Sequence, residues 1–429
     1  MTDPLRLGIA GLGTVGVGVV RIVRQKAALL AERAGRPVVI TAVSARSKDK
    51  DRGVSLSDYA WEDDPVTLAQ RADVDVFVEV MGGHDGPAKD ATEAAIAAGK
   101  DVVTANKALL AHHGHALALS AEAAGRVIKF EAAVAGGIPV IKALSEGLAG
   151  NDITRVMGVM NGTCNYILTR MQSSGLPYGD VFEEANQLGY LEADPNLDVG
   201  GIDAGHKLSL LAAIAFGTQV DFDAVELEGI QNITIEDIHH AADMGYRIKL
   251  LGVCQMTGRG LEQRMSPCLV PETSPLGQLQ GGTNMVVLEG DQVEQIVLRG
   301  PGAGMGPTAS AVMGDVMDIA RGFRMPVFGK PATTLTQAAP ARAVTPAPYY
   351  LRLSLEDKPG ALAKVATVLG EAGISIDRMR QYDHDAATSA PVLIVTHKTT
   401  RADLDTALKA IPRLGVVSGQ PVALRIEQV

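Results

Sequence analysis

Between Gly189 and Lys207 the sequence places Glu192, Asp194, Asp198 and Asp203 ahead of a single lysine, in one loop and the first turn of a helix. Asp203 and Lys207 stand four apart and share a helix face, and Asp203 suits the positive end of the helix dipole. A capped surface helix with an ordinary ion pair has the same spacing. Lys207, however, runs directly into the apolar stretch 208–216. The lysine is therefore expected to be partly buried, where its pKa can fall toward neutrality and it can take and return protons. Carboxylates so grouped can hold a substrate ammonium. A lysine beside them can accept a hydroxyl proton as hydride departs, or stabilise and protonate an alkoxide in the reverse direction.

A second constellation lies near the start. Gly11, Gly13 and Gly16 form G-x-G-x-x-G after an apolar strand and at the opening of an apolar helix, the context that a dinucleotide fingerprint requires. Gly11 permits the tight turn, Gly13 lets backbone approach a pyrophosphate, and Gly16 lets helix and strand pack closely. Thr14 and Val15 open the helix whose N-terminus would face the phosphates. The next strand, 38–43, is followed by Ser44, Ala45, Arg46, Ser47 and Lys48, with no acidic residue to bond a ribose 2′-hydroxyl. Arg46 and Lys48 would instead attract a 2′-phosphate, so NADP is expected over NAD; as plain surface charges they would favour neither. Lys107 follows the strand 101–104 and Glu79 ends another. Ligands of open parallel sheets bind outside such strand ends.

The elements that must position these groups fall into three regions. Over residues 5–130 strands at 5–10, 38–43, 74–80, 101–104 and 127–130 alternate with helices at 15–34, 88–98 and 107–124, which predicts an α/β Rossmann domain over 1–135. A small-residue loop at 131–137 and a short helix at 138–147 lead into a domain over 136–337. Strands near 153–159, 247–253, 268–270 and 284–289 with helices at 161–170, 178–188 and 203–216 make it α+β, and a helix at 308–321 is expected to pack back on the nucleotide domain. The Ala- and Pro-rich stretch 338–348 reads as a linker. Residues 349–429 read as strand, helix, strand, strand, helix, strand, a ferredoxin-like βαββαβ unit.

A chain of 429 residues suits about three domains of roughly 150 residues. Its net charge of −10 is spread along the chain, without the basic stripe of a nucleic-acid binder. Cys164, Cys254 and Cys268 are far apart and odd in number, which fits a reducing compartment and no disulfide framework. No apolar run is long enough to span a bilayer, and Met1 leads into a strand without a signal-like segment. The chain reads as a cytoplasmic protein with a small-molecule partner.

Four segments resemble homoserine dehydrogenases, and together they cover nearly the whole chain. Residues 189–207 look like that family's substrate-site signature. Thr104-Ala105-Asn106-Lys107-Ala108-Leu109-Leu110 resembles its nucleotide-domain lysine motif. Asn161-Gly162-Thr163-Cys164-Asn165-Tyr166-Ile167-Leu168 is similar to its substrate-domain loop, as is Gly300-Pro301-Gly302-Ala303-Gly304 followed by 307–312. Cys164 departs from the Thr of many relatives. The resemblance implies interconversion of L-homoserine and L-aspartate 4-semialdehyde with NAD(P), in threonine, methionine and isoleucine biosynthesis, by a homodimer or larger assembly. It implies that Lys207 donates and accepts the proton and that Lys107 is the second active-site lysine, touching cofactor as well. It gives Gly189, Glu192, Asp198 and Asp203 to the substrate and Gly304 to the cofactor. Glu131, Val134, Gly136 and Ile138 match a monovalent cation loop, with sodium the expected ion; one carboxylate with three carbonyls suits a hard cation, and a plain structural loop has the same residues. The C-terminal unit, with Asp357-Lys358-Pro359-Gly360 after its first strand, resembles an ACT domain, for which threonine is the expected effector and a dimerising role the alternative.

Two other functions stay open on sequence alone. An amino-acid-binding regulator with a silent dehydrogenase core is disfavoured by intact Lys107, Glu192, Asp203 and Lys207. A phosphorylating semialdehyde dehydrogenase would need Cys164 as a thiolate beside a base, and no His neighbours it in sequence. His112, His113 and His115 invite a metal reading, but a solvated helix accounts for them.

Overall fold

The computed structural model describes residues 3–192, 194–342, 345–381 and 389–429. Its first sheet comprises β1 (Leu5–Ala10), β2 (Val38–Ser44), β3 (Ala60–Glu62), β4 (Val76–Glu79), β5 (Asp101–Thr104) and β6 (Ile128–Lys129). These strands run parallel in the order β3-β2-β1-β4-β5-β6. The order reverses between β1 and β4, so a crevice opens at their carboxyl ends. The helices between them are α1 (Thr14–Gln25), α2 (Ala27–Ala34), α3 (Pro65–Gln70), α4 (Pro87–Ala97) and α5 (Lys107–Ala123). The single helix expected over 15–34 is two: Lys26, at φ −118° and ψ 20°, leaves the helical region and turns Leu30 into the core.

A short helix α6 (Val140–Lys142) passes into a π-turn over Ala143–Gly147, where an ordinary helix was expected over 138–147. The middle region then supplies β7 (Ile153–Val159), β8 (Glu226–Leu227), β9 (Tyr246–Thr257), β10 (Gly260–Pro271), β11 (Thr283–Gly290) and β12 (Glu294–Pro301). Its helices are α7 (Gly162–Ser174), α8 (Tyr178–Gln187), α9 (Pro195–Val199), α10 (Ile202–Phe216), α11 (Ile235–Asp243) and α12 (Met305–Ala320). Strand β12 escaped the periodicity reading because it is an edge strand that keeps much of its surface in solvent. Helix α12 returns to the first domain and shares a core with α1, including Val19, Val20, Val312 and Val316. The approach depends on Gly18, where a Cβ would lie 2.8 Å from the Cβ of Ala309.

The C-terminal unit folds as β13 (Tyr349–Glu356), α13 (Ala361–Glu371), β14 (Ile376–Gln381), β15 (Ser389–Thr396), α14 (Arg401–Ala410) and β16 (Val417–Ile426). It does not stand apart. The second sheet runs continuously as β12-β11-β7-β9-β10-β16-β13-β15-β14, with β8 on β10. The seam is a parallel pairing of Cys268 with Arg425 and Leu269 with Ile426. Alternation along β13 explains the rest. Tyr349, Leu351, Leu353 and Leu355 face a core with Val365, Leu369 and Leu404. Tyr350, with Leu393 and Leu424, joins the core that holds Ile238 and Ile248. Arg352 on that second face grips the buried Asp237 of α11 through Nε and Nη2, at 2.6 and 3.1 Å. The linker stretch is pinned as well: the Leu261 amide donates to the Ala339 oxygen at 2.9 Å and the Ala341 amide to the Leu261 oxygen at 3.0 Å. Among the described residues no helix is long and apolar enough to cross a membrane.

Candidate active site

The crevice at the end of β1 is lined by the glycine turn. Gly11 sits at φ +99°, and a Cβ there would lie 2.5 Å from the Val80 oxygen. A Cβ on Gly16 would lie 1.9 Å from the Gly11 oxygen, so any side chain would force helix and turn apart. Gly13 differs: nothing lies within 4 Å of its Cβ position. Gly13 also begins α1 without a side-chain cap. The amides of Thr14, Val15 and Gly16 therefore have no helical partner, an arrangement that with the helix dipole can accommodate a phosphate group. Arg46 and Lys48 are exposed beyond the end of β2. Gly304, at φ +113°, begins α12 without a side-chain cap.

Beside this glycine turn, a buried network sets the position of Lys107. Glu79 ends β4 with no exposure. Its Oε1 accepts from the amides of Met81 at 2.8 Å and Gly82 at 3.3 Å, and its Oε2 from Thr104 Oγ1 at 2.6 Å. Burial pushes its carboxyl pKa up, against these hydrogen bonds. Thr104 Oγ1 in turn accepts from the Asn106 amide at 2.9 Å. The Asn106 side chain accepts from the Leu109 amide at 3.1 Å, capping α5, and donates to the Gly83 oxygen at 2.6 Å. Lys107 is thus the first residue of a helix capped at the ends of two strands.

The second lysine arrives from α10. Lys107 Nζ lies 2.9 Å from Asp203 Oδ1 and 3.9 Å from Glu192 Oε1. Lys207 Nζ lies 2.6 Å from Asp203 Oδ2 and donates to the Met160 oxygen at 3.0 Å. One buried carboxylate joins two lysines from different domains. Burial raises the Asp203 pKa, but the charges of Lys207 and Lys107 outweigh it and hold the carboxyl below its ordinary range. The Asp203 charge, opposed by burial and aided by Glu192, holds the Lys107 ammonium above its own. Burial pushes the Glu192 carboxyl up.

The rest of the acidic loop supports this triad. Asp198 accepts from Asn161 Nδ2 at 2.8 Å and from the Glu192 amide at 2.9 Å, so it holds the loop rather than standing free. Asn161 reaches Asp203 Oδ2 at 3.4 Å and caps α7 through the Cys164 amide at 2.8 Å. Gly189, at φ +74°, ends α8 and turns the chain toward Tyr190 and Glu192. Asn284 Nδ2 donates at 3.1 Å to the Met160 oxygen, the acceptor that Lys207 also uses. A Cβ on Gly302 would lie 2.0 Å from that Asn284 nitrogen, and one on Gly136 would lie 2.4 Å from the Gly302 oxygen. The loops 131–138 and 300–304 are thereby packed together beside the site.

In the first of these loops, Glu131 is buried, and its carboxylate accepts from the amides of Ile141 and Lys142, both at 2.9 Å. Burial pushes its pKa up to about 7. The Ile138 oxygen accepts from the Val140 amide at 2.8 Å, while those of Val134 and Gly136 accept no backbone hydrogen bond among the described residues.

Sequence reasoning picked out both lysines and the acidic loop, but not Asn284 or the Met160 oxygen. Nothing local marks them; they enter the site through the β7–β11 pairing. Asn161 had a readable signal, since Asn before a helix is a favoured cap. Cys164 is fully buried, its Sγ lies 3.3 Å from the Asp198 oxygen, and burial with two nearby carboxylates pushes its thiol well up. It is no nucleophile, so the phosphorylating reading falls. The His112 ring packs among His84 at 4.5 Å, His206 at 5.6 Å and Phe222 at 5.5 Å between centroids, and the described residues contain no cluster suited to a metal ion.

The chain matches the model of the homoserine dehydrogenase catalytic domain over residues 139–317 and that of the homoserine dehydrogenase NAD-binding domain over 11–131. It is 42% identical to the homoserine dehydrogenase of Neisseria gonorrhoeae over 99% of both chains. The chain belongs to the homoserine dehydrogenase family. The homoserine dehydrogenase of Pseudomonas aeruginosa is 41% identical, again over 99% of both chains. A homoserine dehydrogenase crystal structure from Thiobacillus denitrificans superposes with a TM-score of 0.94 at 38% identity, covering 99% of each chain. A hyperthermophilic archaeal homoserine dehydrogenase mutant, solved in complex with NADPH, matches 75% of this chain and 99% of its own with a TM-score of 0.65 at 27% identity. An ACT domain model matches residues 349–415. As a homoserine dehydrogenase the protein is an oxidoreductase that transfers hydride between L-homoserine and a nicotinamide dinucleotide, with L-aspartate 4-semialdehyde as the oxidised product. The regulator with a silent core is therefore set aside.

Proposed function

We propose that the reaction runs at the Lys107–Asp203–Lys207 cluster, with NADP as the preferred cofactor. The observation that carries this reading is the single buried carboxylate shared by the two lysines. The bound nicotinamide supplies the hydride acceptor. Lys207 takes the hydroxyl proton of homoserine and returns it in the reductive direction, oriented by the Met160 oxygen and Asp203. Lys107 presents a second ammonium to the same oxygen as charge develops there. Glu192 and Asp203 hold the substrate ammonium, with Gly189 offering backbone and Asp198 fixing the loop. The cofactor's phosphates rest on Gly11, Gly13, Thr14, Val15 and Gly16, and Gly304 closes over it from the second domain.

Two further assignments accompany this one. Glu131 with the oxygens of Val134, Gly136 and Ile138 takes a monovalent cation, with sodium the expected ion. A buried carboxylate in the same loop as two carbonyls that accept no backbone hydrogen bond among the described residues suits such an ion, which would brace the loop between the domains. The ACT domain takes threonine as effector, and the protein assembles as a homo-oligomer in the pathway to threonine, methionine and isoleucine. An ACT unit whose sheet merges with that of the substrate domain supports a regulatory role.

The cofactor preference is tested by Arg46→Glu. Efficiency with NADP is expected to fall about tenfold or more, the worth of a charged hydrogen bond, and NAD is expected to become the better cofactor. Turnover with NAD that is equal in the variant and the wild type would overturn the preference.

A further inference from the structure

Arg52 lies outside every motif described above, yet its guanidinium closes the gap between the glycine turn and the loop after β2. Its Nε donates to the Leu12 oxygen at 3.2 Å, inside the glycine turn. Its other two nitrogens donate to the loop: to the Ser47 oxygen at 2.5 Å, to the Lys50 oxygen at 2.8 Å and to the Lys48 oxygen at 3.4 Å. The guanidinium carbon stands 5.6 Å from the centre of the Trp61 ring, which borders it from β3. Every partner is a neutral carbonyl or a ring. No carboxylate pairs with Arg52 among the described residues, so its positive charge is not cancelled within the fold.

The location matters more than the bonds. In a sheet of this topology the adenosine ribose lies between the first glycine turn and the end of β2. These are the two segments that Arg52 ties together. A planar fork with fixed donors can bridge several carbonyls at once, which a lysine's single ammonium cannot do. We infer that Arg52 is a positioning residue for cofactor choice: it holds the 46–50 loop against the glycine turn so that Arg46 and Lys48 converge on the ribose 2′-phosphate. This rests on the NADP reading and deepens it. Without the clasp, Arg46 and Lys48 remain present and charged but lose their fixed geometry. Discrimination for the phosphate then falls, while binding of the rest of the nucleotide persists.

The test measures binding by calorimetry, with adenosine 2′,5′-bisphosphate and 5′-AMP as probes on the full chain. Wild type is expected to bind the bisphosphate about tenfold or more tightly than 5′-AMP, as charged hydrogen bonds to one phosphate allow. Arg52→Met is expected to bring the two affinities close to each other, with 5′-AMP affinity unchanged. Arg52→Lys, which keeps the charge but not the fork, is expected to recover only part of the discrimination. A thermal melt checks that each variant is folded, and the lysine variant serves if the methionine one is not. Wild-type discrimination that survives in both variants would overturn the role of Arg52 and leave the NADP reading intact. Equal loss of both probes would reduce Arg52 to a purely structural residue and overturn the inference. A wild type that does not discriminate would remove the NADP reading and this inference with it.

Discussion

Lys207→Ala is expected to lower kcat by about a thousandfold, within the range that a positioned general acid or base contributes. KM for the dinucleotide should stay where it is, because Lys207 stands on α10 and the phosphate cradle is built from the first domain. The fold should persist. Asp203 keeps its contact with Lys107 at 2.9 Å and its weaker one from Asn161 at 3.4 Å, and the Met160 oxygen keeps Asn284 as a donor. The measurement is steady-state kinetics in both directions. A loss seen in KM for homoserine alone would make Lys207 a binding residue and move the proton chemistry to Lys107.

Asp203→Asn carries the second large effect, and it falls on stability as well as rate. The substitution keeps the shape but removes the one carboxylate that both lysines contact, leaving two ammonium groups with only Glu192 and the more distant Asp198 as nearby negative charges. Removing one member of a buried ion pair costs about 3–5 kcal/mol, and kcat/KM for homoserine is expected to fall about a hundredfold or more as preorganised charge is lost. The pH dependence has a definite sign. The carboxyl's folded pKa lies below its ordinary value of 3.8. Its contribution is therefore complete above that value and is lost as pH falls through the folded pKa. The stability gap between wild type and variant should be widest near neutrality and narrow only in strong acid. Thermal melts across pH measure it. A gap that stayed constant into strong acid would show that the loss came from packing rather than from the charge.

The buried histidine beside this site adds a coupling of the same sign at higher pH. Burial lowers the His206 pKa to about 4, with His112 acting the same way. The unfolded chain thus binds a proton between its ordinary value of 6.5 and about 4 while the folded chain does not. Folding is accordingly favoured as pH rises through that window.

Legibility in the sequence followed the range of the interactions. The glycine turn and the parallel alternation are local, and both were readable. Lys207 was readable as a partly buried lysine because the apolar stretch after it draws the helix inward, and its pairing with Asp203 follows from one helical turn. The meeting of Lys107 with Asp203 is a contact between domains, and only the family resemblance brought the two into one site. Asn284 and the Met160 oxygen depend on strand register, which no local spacing encodes. The merger of the C-terminal unit with the second sheet rests on two residue pairs between β10 and β16, too short a seam to leave a pattern. Arg52 was missed because it acts through carbonyl oxygens, which look the same at every position of a sequence.

The most direct test of the account is turnover by the wild-type chain with L-homoserine and NADP. Reduced cofactor should accumulate in equal amount with an aldehyde that a hydrazine reagent traps, and homoserine should be required. No reduced cofactor with either NADP or NAD, from a chain shown to be folded, would contradict the assignment of hydride transfer to this site.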